Sequence, residues 1–275
     1  MSRVRGGSDR LLGAALFLFV GLFAAFAVVL IAADALYIDR KAVAAVLGAD
    51  FVRDALWRSL WTSVVATAVA LLFAVPVGYA LSRYRFPGHL LVDTLVDLPI
   101  VFPPLVAGMT LLVFFHQTAL GRWIEAPLSE GGLGLKFSFQ PAGIVLCQFV
   151  LSASFAIRSA KSAFDEVDRR LEDVALTLGC TPWGSLLRVS LPLARGGILA
   201  GGIMTWARAF GIFGPLMIFV GTFRGRTEVL STTIFLEQSV GNLEVALAVA
   251  LLLIGVALVA LMTIRLVGGR AWVKP

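Results

Sequence analysis

Two stretches of this chain hold charged residues where their chemistry would count. In the first, Glu172 and Asp173 follow Arg169 and Arg170, while Leu171, Val174, Ala175 and Leu178 recur at helical spacing, which predicts a short solvated helix with one apolar stripe. Gly179 suits the left-handed residue that ends a helix, Pro182 suits the first turn of the next, and Leu191-Pro192 follows twelve residues after Gly179. An apolar stripe on a solvated helix needs a partner, so Glu172, Asp173, Val174, Ala175, Gly179, Leu191 and Pro192 are expected to form a helix-turn-helix docking element hinged at Gly179. In the second stretch, Arg208 is the single charge of the apolar run 196–223, about 18 Å from its start at a helical rise. A guanidinium at membrane depth costs at least about 2.5–3.5 kcal/mol and ordinarily faces a bundle interior or a watery path. Arg208 is therefore expected to help an anion cross, the alternative being a snorkelling or structural arginine. Gly211 and Gly214 stand just beyond it and are expected, with Pro103 and Pro104, to belong to the same translocation path, although packing is the default role of a glycine. Pro103 and Pro104, with Pro99, open another apolar run; they predict either a kinked helix lining a cavity or a helix that starts near Pro104.

Enzymatic chemistry lacks its usual components. The histidines are His89 and His116, which the topology below puts on opposite sides of a membrane, so no metal cluster can be built from them. Cys147 falls in an apolar run and Cys180 in a polar loop, which argues against a disulfide or metal pair. The Gly131-Gly132-Leu133-Gly134 segment lacks the strand before and the helix after it that a nucleotide cradle needs. No Gly-x-x-x-x-Gly-Lys-Ser/Thr sequence is present, so ATP phosphates have no Walker A loop here. If ATP powers this protein, another chain binds it.

The elements that must position these residues are membrane spans. Hydrophobic residues make up 59% of the chain and mean hydropathy is +0.92, against about 45–50% apolar in soluble domains. Uncharged runs occur at 11–33, 59–82, 98–115, 137–157 and 245–264, and 196–223 is broken only by Arg208; each is near the length of about 20 residues that crosses a bilayer. The expected architecture is all-α, with six transmembrane helices at about 11–33, 59–82, 95–116, 137–158, 196–222 and 243–266. The first run is too long for a cleaved signal peptide and is expected to be retained. With the N-terminus inside, fourteen basic residues fall on the cytoplasmic side and eight outside, which the positive-inside rule favours and which returns the C-terminus inside. The net charge of +6 is then mostly topology, spread over loops, and does not call for nucleic acid.

The docking stretch resembles the cytoplasmic EAA loop of permease subunits of binding-protein-dependent ABC importers, with Asp173-Val174-Ala175 in the place of Glu-Ala-Ala, Glu172 as a second acid before it, and the Gly179 to Leu191-Pro192 spacing intact. Trp206-Ala207-Arg208-Ala209-Phe210-Gly211-Ile212-Phe213-Gly214-Pro215 and the Gly225-Arg226-Thr227 loop look like the molybdate, tungstate and sulfate branch of that family, Ile212 replacing the branch's glutamate. The resemblance covers roughly residues 59–265. It implies a type I importer permease fold for the transmembrane domain at 59–267, with its coupling loop at 159–195; the hydropathy reading adds an N-terminal tail, first span and outside loop at 1–58, outside the resemblance, and a tail at 268–275. It implies a bacterial or archaeal cytoplasmic membrane protein that works as a homodimer with two ATP-binding subunits inside and a substrate-binding protein outside. ATP and Mg would sit on the partner ATPase, so no cofactor is expected in this chain. The cargo would be an oxyanion, molybdate before tungstate or sulfate, carried by alternating access. The competing reading is a secondary transporter or channel for an anion, which would need intramembrane acidic groups that the spans lack.

Overall fold

The computed structural model describes residues 7–272; Arg3, Arg5 and Lys274, which the charge argument puts inside, lie outside them. Described in chain order, the α-helices are α1 (Gly7–Tyr37), α2 (Arg40–Gly48), α3 (Asp50–Arg83), α4 (His89–Val101), α5 (Pro104–Gln117), α6 (Ala119–Glu125), α7 (Pro141–Asp165), α8 (Arg169–Thr177), α9 (Pro182–Ser185), α10 (Leu191–Phe210), α11 (Leu230–Ser239) and α12 (Leu243–Trp272). Five helical stretches are long and apolar enough to cross a bilayer, and the bent pair α4 and α5 raises the number to six if it counts as one span.

At the centre, α3, α7 and α10 pack through small residues. Ala70, Ala74, Ala156 and Ala160 are fully buried. A Cβ on Gly78 would lie 2.8 Å from the Lys161 backbone nitrogen, and one on Gly201 would lie 2.2 Å from Ser159 Cβ. Lipid tails are as apolar as leucine, so helices in a bilayer associate by such close backbone approach and not by excluding water. A second cluster joins α2, the start of α3, α11 and α12 around Val52, Leu230 and Val249, and a third joins α5 and α7 to the segment 216–220 around Phe115, Ile144 and Phe219. Helix α1 is apolar all round and none of its most hydrophobic window is buried, as a helix facing lipid requires.

Several expected boundaries move, each for a local reason. The span at 95–116 is two helices meeting at 111°, because Phe102 and Pro103 adopt extended ψ values of 124° and 130° and Pro104 can only begin a helix. The span at 196–222 stops at Phe210, helical structure resumes at Gly214-Pro215, and a separate π-type turn occupies Leu216–Val220. The second span begins at Asp50, inside the stretch expected as an outside loop. The outside stretch before α12 folds as α11, and α12 continues to Trp272, past the tail boundary expected at 267. The coupling loop is shorter than 159–195, since α7 runs to Asp165 and α9 leads through a π-type turn at Leu186–Ser190 into α10. That turn has a cause in Pro192, which cannot donate to residue 188, while Leu191 bonds five residues back to the Leu186 carbonyl.

Candidate translocation and docking sites

The break after α10 frees backbone groups at membrane depth, where each must find a partner. Gln148, buried on α7, donates its amide to the Ala209 carbonyl at 3.1 Å, and the Ser231 hydroxyl donates to the Ile212 carbonyl at 2.7 Å. The break and the α4/α5 bend face each other. A Cβ on Gly108 would lie 2.7 Å from Pro215 Cα, and one on Gly214 would lie 3.1 Å from Pro104 Cβ, so only glycine permits these approaches without a shift. Between them opens a cavity of about 500 Å³ lined by Pro104, Leu105, Leu151, Arg208 and residues 211–215.

Arg208, Pro104, Gly211 and Gly214, singled out in the sequence on separate grounds, thus share one cavity wall, while Pro103 is exposed at the bend and not part of the lining. Arg208 is half-buried. Its Nε donates to the Leu151 carbonyl at 3.2 Å and its guanidinium lies 4.5 Å from the Phe155 ring centre. These contacts hold the group without neutralising it, and among the described residues no carboxylate pairs with it. Among the described residues one of its five N–H donors is used, which leaves the guanidinium hydrogen-bonding capacity toward the cavity. Ile212, where the resemblance led one to look for glutamate, has its side chain packed in the core against Phe219 and Leu216.

At the other end, α8 begins at an Asp168 cap whose side chain accepts from the Arg170 N–H at 3.0 Å. It ends with Gly179 at φ +86°, the Gly179 and Cys180 N–H groups bonding back to Leu176 and Ala175 carbonyls, the closure that a left-handed glycine allows. Thr181 then caps α9 by accepting from the Gly184 N–H at 3.1 Å. Leu171, Asp173, Val174 and Leu178 are exposed, Ala175 is half-buried, and Trp183 on α9 is 70% exposed beside them.

Glu172 departs from the expectation. Instead of keeping the segment in water, it is buried, and its carboxylate accepts from Arg83 Nε at 2.7 Å, Tyr79 Oη at 3.0 Å and Ser190 Oγ at 2.7 Å. The helical stripe reads as one face from sequence, but only the packed neighbours decide which flank turns inward. Other charged groups were read in the sequence only for the side of the membrane they occupy, and their pairing was missed. Arg158 on α7 pairs with Asp93 at 2.7 Å and with Asp97, and the four-residue spacing of those two acids on α4 was the available signal. On the opposite end, Arg58 donates to the Glu228 and Gly225 carbonyls at 2.7 and 2.9 Å, and Arg224 pairs with Glu237 while lying 4.2 Å from the Phe51 ring. Burial pushes the Glu228 carboxyl up from the usual range, against the hydrogen bond from Thr233 and the nearby Arg224 charge.

The comparisons with known proteins agree with one another. Residues 70–272 match the family described as binding-protein-dependent transport system inner membrane component. A probable molybdenum ABC transporter permease protein of Haloferax volcanii is 38% identical over 223 residues, 81% of this chain and 78% of its own length. The molybdate/tungstate transport system permease protein WtpB of Thermococcus kodakarensis is 36% identical over 80% of each chain, and the sulfate transport system permease protein CysT of Escherichia coli is 30% identical over 77% of this chain and 75% of its own length. Among solved structures, a bacterial alginate ABC transporter in complex with its periplasmic protein superposes with a TM-score of 0.70 over 96% of each chain at 19% identity. The MetNI methionine transporter does so at 0.56, over 81% of this chain and 97% of its own, at 18% identity; at such identities the likeness speaks for the fold.

Proposed function

The chain belongs to the family of binding-protein-dependent transport system inner membrane components, and from that premise we propose that it forms the oxyanion path of an ATP-driven importer, with molybdate or tungstate as cargo. It is a multi-pass permease subunit of an ABC importer. The observation that carries the cargo is the identity of 36–38% with permeases named for molybdenum, molybdate and tungstate. An uncompensated Arg208 on the wall of the cavity between the two broken spans supports an anion over a neutral solute. The sulfate permease at 30% keeps sulfate in play as a competitor of the same charge and shape.

In this reading the chain performs no bond chemistry. A substrate-binding protein delivers the oxyanion outside, two copies of the chain enclose the path, and two ATP-binding subunits dock inside against Asp173, Val174, Leu171 and Leu178. ATP and its Mg are held by those subunits. Arg208 lowers the cost of the anion's passage by supplying a charge already placed in a low-dielectric wall. Loss of the docking surface separates hydrolysis from transport.

The test is uptake into proteoliposomes holding this chain, its ATPase and its loaded binding protein. ATP-dependent accumulation of molybdate or tungstate, competed weakly or not at all by sulfate, is the expected result. Accumulation that ignores ATP and follows an ion gradient would replace the importer with a secondary transporter.

A further inference from the structure

We propose that Glu172 is a positioning residue that locks the docking helix α8 to both α3 and α10, so that a push received on the exposed flank of α8 reaches the cavity. The inference rests on the importer reading above and names the joint through which it would work. The carboxylate is buried, and it is shared by groups from two different spans: Arg83 Nε at 2.7 Å and Tyr79 Oη at 3.0 Å from α3, and Ser190 Oγ at 2.7 Å from the residue that leads into α10. Arg83 reaches further, donating to the Val167 carbonyl at 3.0 Å, so the loop entering α8 is pinned to the same guanidinium. Helix α8 therefore cannot shift against α3 or α10 without stripping a buried charge of its donors.

The neighbouring acid does the opposite. Asp173 is exposed together with Leu171, Val174 and Leu178. Two adjacent carboxylates thus divide the work, Asp173 turned to a partner surface and Glu172 turned to the chain's own spans. The path from the joint runs along one helix. Ser190 precedes α10, α10 packs on α7 through glycine contacts at Gly197 and Gly201, and its last turn carries Arg208. A displacement of α8 would in this way be handed to the helix that presents the guanidinium to the cavity.

Removing Glu172 itself would leave Arg83 buried and unpaired, which can prevent folding outright. Ser190→Ala is the cleaner variant, since it deletes one hydroxyl and leaves Arg83 and Tyr79 on the carboxylate. Spin labels at the exposed positions Thr177 and Leu193 would report the separation of α8 and α10 in complexes carrying one doubly labelled protomer, without nucleotide and with hydrolysis-arrested ATP. The wild-type chain is expected to show one unchanged distance in both states. Ser190→Ala is expected to show a nucleotide-dependent distance and an oxyanion uptake per ATP hydrolysed that falls about tenfold, equivalent to about 1.4 kcal/mol, with assembly and hydrolysis retained. A wild-type distance that changes with ATP, or a Ser190→Ala chain in which either readout stays at the wild-type value, overturns the proposal. A wild-type complex that moves no oxyanion would instead defeat the cargo assignment, while the distance measurement, which needs no cargo, still decides the joint.

Discussion

Arg208 stands in an apolar span held by two weak contacts, with no carboxylate partner among the described residues. The Leu151 carbonyl takes one N–H, and the Phe155 ring face attracts the cation, an interaction worth up to about 2 kcal/mol when desolvated. A residue serving architecture alone would need only those contacts, which a neutral amide could partly imitate. We therefore expect Arg208→Lys to keep part of the uptake and Arg208→Glu to abolish it. Arg208→Gln should assemble yet lose about tenfold or more, because hydrogen bonds to charged groups are worth about 1.5–3 kcal/mol. Uptake assays in vesicles, normalised to the amount of assembled complex, check this; a fully active Arg208→Gln chain would reduce Arg208 to a structural residue. The place of Arg208 on the cavity wall was foreshadowed in the sequence, because one charge in a long apolar run calls for a polar neighbour, a watery path or a route to the surface. Glu172 was misread for the complementary reason: an acid on a loop helix costs nothing in water, so nothing in the sequence shows that its donors come from residues 79, 83 and 190.

At the scale of elements, the α8 to α9 turn depends on a backbone conformation, not on space. Gly179 sits at φ +86° and a Cβ there would meet nothing within 4 Å, so a side chain is resisted only by its own torsions. A β-branched residue forced into that region costs on the order of 1–3 kcal/mol, whereas asparagine visits it readily. Gly179→Val is expected to reach the membrane and assemble but to import poorly for the ATP it consumes, and Gly179→Asn to import nearly as well as wild type. Parallel measurements of hydrolysis and uptake distinguish this from a general packing defect, in which both variants would fail together. The helices themselves were readable as uncharged runs of sufficient length. Their interruptions were only half readable: the prolines at 103 and 104 announced trouble in one run, whereas the run holding Pro215 was read as a single span, so the 111° bend and the break after Phe210, whose Ala209 and Ile212 carbonyls are met by Gln148 and Ser231, show only in the packed chain. The helix α11 left no signal of membrane length, and its placement rests on Thr233 and Glu237 meeting Glu228, Arg224 and Asn242, contacts between residues that periodicity does not link.

For the whole molecule, two long-range ties count the crossings. Arg83 at the end of α3 holds Glu172 on α8, so those two points lie on one side of the membrane. Between them the chain passes through the bent pair α4 and α5 and then through α7. Since α7 alone crosses once, the bent pair must cross as a unit and cannot return as a re-entrant loop. Arg58 near the start of α3 holds the Glu228 and Gly225 carbonyls, which closes the same count on the other side after α10. The positive-inside rule predicts that the end bearing Arg83, Arg169 and Arg170, part of the more basic set, faces the cytoplasm. Single cysteines at the exposed positions Tyr84, Ser129 and Thr177, in a chain with Cys147 and Cys180 replaced, report the result with an impermeant thiol reagent. Ser129 is expected to label from outside, and Tyr84 and Thr177 only after the inner face is opened. If Tyr84 and Ser129 labelled from the same side, the bent pair would not span the bilayer, and the tie between Arg83 and Glu172 could not exist in the membrane.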